Sequence, residues 1–97
     1  MDDMAKRFER IRPELVDRDG RRWWPLRAVC DALRCPNYRA ASMLVPAGHK
    51  RRWVQHARDW RLKQAICLID REGVERLVIR YSPVPRWAVM AALDAEE

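Results

Sequence analysis

The apolar positions of the chain fall into short blocks that alternate between a strand period and a helix period. Residues 11–24 form two extended runs separated by the Asp-Gly pair at 19–20, which is a strong signal for a β-hairpin turn. Pro13 has no N–H to donate, so the first strand is expected at an edge of the sheet. The second strand ends at Trp23 and Trp24, of which one should face the core and the other the opposite side.

Two short helices are predicted next. The first begins after Pro25 and carries an apolar stripe at i, i+3, i+4 and i+7, formed by Leu26, Val29, Cys30 and Leu33. Pro36 ends it, because proline restricts the residue before it. The second helix spans Tyr38–Leu44 with Asn37 as its N-cap. Its predicted buried side consists of Ala40, Ala41, Met43 and Leu44.

The next apolar blocks predict two strands. A strand is predicted over residues 51–55, with the side chain of Trp53 on one face and those of Arg52 and Val54 on the other. Residues 56–64 are predicted to form a polar loop. The run AICLID at 65–70 is predicted to be a buried strand, the clearest one of the chain. Its length and β-branched content favour a strand over a helix.

The last third of the chain predicts two further helices. Asp70 is placed to cap a helix whose apolar stripe consists of Val74, Leu77, Val78 and Tyr81. The Ser-Pro-Val-Pro run at 82–85 separates it from a final helix over 86–95. The order β-β-α-α-β-β-α-α predicts one α+β domain over residues 11–95, a small antiparallel sheet with a helix-turn-helix-like pair and two further helices. Residues 1–10 are expected to be a charged N-terminal segment.

Charge is unevenly distributed along the chain. The formal net charge is +6, yet residues 18–63 hold twelve Lys or Arg and three Asp, so this segment carries +9 and the remainder −3. Arg outnumbers Lys seventeen to three, as a GC-rich genome would produce, but such a bias does not keep acids out of the middle of the chain. The segregation predicts a polyanion partner on one face.

Several classes of protein are disfavoured. The chain lacks both an 18-residue apolar window and an apolar N-terminal run, so we expect no membrane span, no secretory signal and a cytosolic location. The three cysteines are then expected to be reduced, with Cys30 and Cys67 in the core. The separation of Cys30 and Cys35 is at the upper limit of the spacing between paired zinc ligands, and the separation of His49 and His56 is outside that spacing. We therefore expect no metal site. With three glycines, no phosphate loop and no nucleophile elbow, we expect neither a cofactor nor catalysis.

Three blocks of the chain match one family pattern in order and spacing. WWPLRAVCDALRCPN at 23–37 matches it at Val29, Cys30, Ala32, Leu33 and Asn37. AICLIDREGVERLVIRYSPVP at 65–85 matches it at Ile69, Asp70, Glu72, Gly73, Val74, Leu77, Ile79 and Arg80. Arg-Trp-Ala-Val at 86–89 matches the start of its C-terminal helix. Across residues 13–92 the chain therefore resembles the Bro-N domain of viral and phage Bro and antirepressor proteins.

The resemblance implies a nucleic-acid-binding module, often attached to an antirepressor. With the +9 segment it predicts a small, non-catalytic DNA-binding regulatory protein of phage or prophage type, which binds double-stranded DNA in the bacterial host cytoplasm. The alternative is a phage inhibitor or antirepressor that binds a host or phage protein, with Trp60, Val84 and Trp87 as anchors. A homodimer is compatible with both.

Two stretches supply the candidate DNA contacts. The start and outer face of the second helix offer Asn37, Tyr38, Arg39 and Ser42. Arg39 would read guanine, hold a phosphate or be merely solvated, and Asn37 would read adenine or only cap the helix. The run 49–63 offers Lys50, Arg51, Arg52, Arg58, Trp60, Arg61 and Lys63. These cations would neutralise phosphates or be solvated. Trp60 would stack on a base or pack beneath the loop. Trp53 is expected in the core.

Overall fold

The computed structural model of the chain describes residues 4–56 and 63–95. In chain order the elements are α1 (Met4–Glu9), β1 (Leu15–Val16), β2 (Arg22–Pro25), α2 (Leu26–Leu33), α3 (Tyr38–Leu44), a 3-10 turn (Ala47–His49), β3 (Lys50–His56), β4 (Lys63–Asp70), α4 (Arg71–Tyr81) and α5 (Arg86–Asp94). The strands form one antiparallel sheet in the order β1-β2-β4-β3. The predicted α+β class is confirmed. None of the described helices is long and apolar enough to cross a membrane.

The predicted N-terminal hairpin is present, with β1 at the edge of the sheet. Leu15 pairs with Trp23 across it. In the turn, Asp17 Oδ1 accepts hydrogen bonds from the backbone N–H groups of Asp19, at 3.0 Å, and Arg21, at 2.9 Å. Gly20 has φ +78°, a left-handed conformation that glycine adopts without a Cβ clash. The Asp-Gly pair was therefore a sound turn signal.

The two neighbouring tryptophans face opposite sides of the sheet, as predicted. Trp24 is fully buried in the core beneath the helices. Trp23 is also buried but lies on the other side, where the guanidinium carbons of Arg21 and Arg51 are 4.7 and 5.4 Å from its ring centroid. Arginine side chains thus cover an aromatic ring on the face opposite to the core.

The core lies between the sheet and helices α2, α4 and α5. The sheet contributes Trp24 and Ile69, and the predicted helical stripes supply Leu26, Val29, Cys30, Leu33, Val74, Leu77 and Val78. Tyr81, the last stripe residue of α4, is half-buried against them. Val89 and Leu93 of α5 are fully buried as well. Both predicted stripes are confirmed, because helical positions three and four apart share one face.

Helix α1 shows that the core reaches further towards the N-terminus than residue 11. Met4 and Phe8 are spaced i, i+4 and are both buried in the same core, where α1 contacts α2 and α5. Arg7 Nε also donates to the Ala32 carbonyl oxygen at 2.8 Å. The charged segment expected at 1–10 thus contains an amphipathic helix, and the folded unit includes it.

The predicted buried side of α3 is wrong. Of Ala40, Ala41, Met43 and Leu44, only Ala41 is buried; Met43 is 79% and Leu44 40% exposed. A helix of seven residues touches the core along a single row, and here the row is Tyr38, Ala41 and Val45, at i, i+3 and i+7. Composition suggested that every apolar side chain of α3 faces inward, but spacing determines which ones do.

Two further core predictions need correction. Cys67 is half-buried, whereas Cys30 is buried as predicted. Trp53 is half-buried on the sheet face opposite to the helices, with the Arg51 guanidinium carbon 5.9 Å from its ring centroid. In β3 this alternation follows the predicted order, but Trp53 and its partner Ile66 lie on the face whose described residues do not belong to the core cluster around the helices.

Candidate nucleic-acid interface

A cleft lies between the α2–α3 pair and the β3–β4 hairpin. Its volume is about 680 Å³, and it is lined by Pro25, Arg27, Tyr38, Ala47, Lys50, Arg51, Arg52, Ala65, Ile66 and Cys67. Four of these described lining residues are cations and none is acidic. We call this site the basic cleft. Concave sites of this size with a mostly apolar lining and a few polar groups are typical of ligand-binding pockets.

The turn between α2 and α3 forms the helical wall of the cleft. Helix α2 ends at Arg34, which has φ +55° and lies in the left-handed region. Asn37 then caps α3, because its side-chain Oδ1 accepts the backbone N–H of Ala40 at 3.1 Å. This reversal brings Tyr38 beside α2, where the Arg27 guanidinium carbon is 4.7 Å from the tyrosine ring centroid. The helical wall therefore presents a stacked cation and aromatic ring.

The strand wall is built by the alternation of β3. Lys50 pairs with Ile69 of the core and Arg52 pairs with Cys67, so both side chains are on the helix-facing side of the sheet. Lys50 Nζ donates to the Ser42 carbonyl oxygen at 3.0 Å, near the end of α3, where this carbonyl also accepts the backbone N–H of Val45 at 3.3 Å. This bond fixes the strand wall against α3. Arg52 is exposed and has no ion pair with any described residue.

Arg51 reaches the rim of the cleft from the other side of the sheet. Its guanidinium lies over Trp23 and Trp53, and the residue itself is exposed. Contact with an aromatic face leaves the planar N–H groups at the guanidinium edge free to donate. Arg51 can therefore bind an anion while it remains packed on the two rings.

The structure brings together part of the predicted site. Tyr38, Lys50, Arg51 and Arg52 line the basic cleft, whereas Ser42 does not line it and only accepts a hydrogen bond from Lys50 through its backbone carbonyl. Asn37 caps α3 as predicted, and its base-reading role stays a prediction. Arg39 is exposed on α3 but does not line the cleft. Arg58, Trp60 and Arg61 lie outside the described residues, as does the side chain of Lys63, whose backbone pairs with His56.

Arg27 is the cleft residue that sequence reasoning missed as a site. It was counted in the +9 segment but not selected, because it follows Leu26 at the start of α2, outside both candidate stretches. It is exposed, while its neighbours on the helical stripe are buried. The available signal was its position: a cation on the polar face of the first helix of a helix-turn-helix-like pair.

Ion pairs reduce the free charge of the +9 segment. Arg21 Nε donates to Asp70 Oδ2 at 3.0 Å, and its Nη2 contacts the same oxygen. Arg22 Nη2 donates to Asp94 Oδ1 at 3.0 Å. Both acids come from the segment of the sequence after residue 63. Two of the twelve cations are therefore partly neutralised by residues that a count over 18–63 leaves out.

The buried carboxylate of Asp70 is the centre of a charge network whose other members are partly or largely exposed. Its Oδ1 accepts the Gly73 N–H at 2.9 Å, and its Oδ2 accepts from Arg21 and lies 2.8 Å from His49 Nδ1. Burial raises the pKa of Asp70, but the hydrogen bonds from His49, Gly73 and Arg21 outweigh it and hold that pKa below its ordinary value of 3.8. The ionised carboxylate connects the residue before β2, the 3-10 turn and the first turn of α4.

His49 is held between two carboxylates. Its Nε2 lies 2.9 Å from Glu72 Oε2, opposite the contact with Asp70. With both ring nitrogens engaged, this histidine serves the network at the start of β3 and not an open reaction site. Among residues 4–56 and 63–95, no group of three His, Cys, Asp or Glu side chains is arranged to hold a metal ion.

The cysteines are thiols of low acidity. Burial raises the pKa of Cys30 to about 12, and burial also raises the pKa of Cys35 and Cys67. The thiolate is the nucleophilic form of cysteine, so burial works against reactivity at all three. The thiol of Cys67 is part of the cleft lining as a small, weakly polar group.

The described residues of this one chain form both the cleft and the neighbouring charge network. Comparison of the chain with family models, curated proteins and solved structures finds no match in any of the three.

Proposed function

We propose that this chain is a small, non-catalytic DNA-binding regulatory protein of phage or prophage type, with the ancestry that its resemblance to the Bro-N domain implies. It binds double-stranded DNA through the basic cleft and the outer face of α3. The observation that carries the proposal is the convergence of Arg27, Lys50, Arg51 and Arg52 on one cleft whose described lining contains no acid.

Phosphate binding explains why these cations lie together with no acidic residue in the described lining of the cleft. Four cations on one concave surface repel one another in the free protein, and phosphates of a DNA backbone relieve that repulsion and release counterions. Arg52 is exposed and without an ion pair among the described residues, so its guanidinium can meet a phosphate at no cost in lost contacts.

Helix α3 supports a base-reading role next to the phosphate contacts. Asn37 and Arg39 are exposed at its N-terminal turn, the part of a recognition helix that contacts base edges. Arginine pairs with guanine and asparagine with adenine in the major groove. Arg39 also lies one residue from Tyr38, which lines the cleft. On this proposal the cations at the rim of the cleft hold the backbone and α3 reads the groove beside it.

Duplex binding is tested by fluorescence anisotropy of a labelled mixed-sequence duplex at low salt. We expect the double variant Arg51→Ala/Arg52→Ala to bind about tenfold or more weakly, because two phosphate contacts are lost. Arg39→Ala should weaken binding too. The matched control is Arg76→Ala, which removes an exposed cation of α4 away from the cleft. The thermal midpoints should stay close to that of the unaltered protein. Unchanged affinity in both the double variant and Arg39→Ala would contradict the proposal.

A protein-binding function is the second candidate, and exposed apolar side chains favour it. Trp87 of α5 is 76% exposed and Ile79 of α4 is 60% exposed. Of the three expected anchors, Val84 is half-buried against the core and Trp60 lies outside the described residues, so Trp87 carries this alternative. A stoichiometric partner that the tagged protein captures after nuclease treatment, and that Trp87→Ala no longer captures, would favour a phage inhibitor or antirepressor of a host or phage protein.

A further inference from the structure

We infer that the basic cleft accommodates one unpaired nucleotide of a DNA strand, with the base inside the cleft and its phosphate at the cationic rim. The inference rests on the proposed DNA binding and deepens it. It explains a feature that duplex binding leaves unexplained, because cations on a flat or convex surface would be enough to hold phosphates. This protein instead has a concavity of about 680 Å³ beneath them.

The lining of the cleft has two chemical zones. Small or apolar side chains line its interior, namely Pro25, Ala47, Ala65 and Cys67. Ile66 also lines the cleft, although its side chain lies on the opposite face of the sheet with that of its partner Trp53. The cations and the tyrosine supply the polar zone. An apolar interior does not suit a phosphate, whose charge would lose its hydration there. A nucleobase is planar, uncharged and able to contact apolar walls, so base and phosphate together match both zones.

Tyr38 and Arg27 provide a stacking surface. The Arg27 guanidinium carbon is 4.7 Å from the Tyr38 ring centroid, and both residues line the cleft. A base that enters the cleft can extend this stack, either on the guanidinium plane or on the ring. Aromatic rings and arginine planes are the side chains on which unpaired bases stack in nucleic-acid complexes.

The strand wall supplies the phosphate contacts. Lys50 lines the cleft, and its ammonium group is held by the Ser42 carbonyl oxygen. Arg52 is exposed beside it on the same side of β3. Lys50 and Arg52 are two residues apart in an extended strand and face the same way. They are therefore placed to contact the phosphate of a nucleotide whose base is stacked on the opposite wall.

The experiment compares two DNAs that differ in one feature. One is a perfect labelled duplex, and the other is the same duplex with a single unpaired thymidine. We expect the unaltered protein to bind the bulged DNA about tenfold more tightly, as one added stacking interaction predicts. Thymidine 5′-monophosphate, added as a competitor, distinguishes a site for free nucleotides from a site for a nucleotide within a strand. We expect it not to displace either DNA at concentrations near the dissociation constant of the bulged DNA.

Variants that fill the cleft show where the unpaired nucleotide binds. Ala65 and Ala47 are exposed and line the cleft from β4 and the 3-10 turn, so Ala65→Phe and Ala47→Phe each reduce its volume from a different element. We expect both to lower the affinity ratio of bulged to perfect DNA from about ten to about one. Ala91→Phe is the control, because Ala91 is exposed on α5 outside the cleft, and its ratio should stay at that of the unaltered protein.

The outcomes separate this inference from the proposed function. Equal affinity of the unaltered protein for both DNAs overturns the nucleotide inference and leaves duplex binding in place. A bulge preference that survives in both cleft-filling variants also overturns it. Tight binding of the free monophosphate without a bulge preference would assign the cleft to a small nucleotide instead, and the inference fails. If neither DNA is bound, the proposed function and the inference fail together.

Discussion

At the scale of single residues, Asp70 is the one charged residue that is buried among those the structure describes. Its carboxylate accepts hydrogen bonds from the first turn of α4, from Arg21 and from His49, and its side chain is only 5% exposed. A buried carboxylate that loses its charge or its partners leaves the remaining groups of such a network unsatisfied. The charge of Asp70 is therefore expected to determine how the fold responds to acid.

We expect the stability of the protein to fall in acid partly through Asp70. Its folded-state pKa is held below the ordinary value of 3.8, so its contribution is present above that value and is lost as the pH falls through the folded-state pKa. Asp70→Asn keeps a side-chain acceptor for the cap but removes the charge. We expect it to lower the free energy of unfolding at pH 7 by about 2 kcal/mol, the range for hydrogen bonds to charged groups.

Urea titrations at pH 7 and at successively lower pH would measure this effect. The stability gap between Asp70→Asn and the unaltered protein should narrow as the pH falls below the ordinary carboxyl range. Asp31→Asn, at an exposed position of α2, is the matched control. A gap that does not change with pH would show that the variant acts through packing and not through charge.

At the scale of elements, α4 packs closely against the end of α3 and against the 3-10 turn. Gly73 is the point of closest approach: a Cβ there would lie 3.1 Å from Ile69 Cβ, 3.1 Å from Val45 Cγ1 and 3.2 Å from the His49 carbonyl oxygen. Two of these neighbours are core side chains near their branch points and one is backbone. Each would have to shift by a few tenths of an ångström to admit a Cβ, in a region where side chains are closely packed.

We therefore expect Gly73→Ala to destabilise the fold although alanine is the better helix former. The helical preference favours alanine by about 1 kcal/mol, while crowding in a packed core costs about 1–3 kcal/mol. The net effect should be a loss of about 1 kcal/mol. Gly48→Ala is the control, because a Cβ at position 48 meets nothing within 4 Å; thermal or urea unfolding should show little change there. A more stable Gly73→Ala would mean that Val45 and Ile69 can yield.

The sequence predicted an element correctly where a few neighbouring residues determine its conformation. The Asp-Gly turn, the proline at the start of α2 and the caps Asn37 and Asp70 depend on a few neighbouring residues, and each is present. The buried side of α3 was not predictable from composition, because Met43 and Leu44 lie on the side that the rest of the fold does not cover. Tertiary packing, which a local pattern does not contain, selected the row that includes Ala41 and Val45.

At the scale of the whole molecule, the basic cleft was only half predictable. The alternation of β3 placed Lys50 and Arg52 together, and the charge segregation indicated a polyanion partner. The pairing of Arg21 with Asp70 and of Arg22 with Asp94 spans 49 and 72 positions of the chain, and no sequence window contains both partners. The same long-range folding brings Arg27 to the cleft. The sequence thus located the positive charge, and the fold determined which cations remain free.

Salt dependence tests that distinction directly. Each phosphate that a cation neutralises adds about −0.9 to the slope of log affinity against log salt concentration. On charge alone Arg22, Arg51 and Arg52 are equivalent, but Arg22 is bound to Asp94 and the other two line the cleft. We therefore expect Arg51→Ala/Arg52→Ala to make the slope of duplex binding shallower by about 2, whereas Arg22→Ala should change it by less than about 0.5. Anisotropy titrations at four or more salt concentrations would measure both. If the slope changed by the same amount per removed cation in the two variants, DNA binding would depend on the total charge of residues 18–63 and not on the basic cleft.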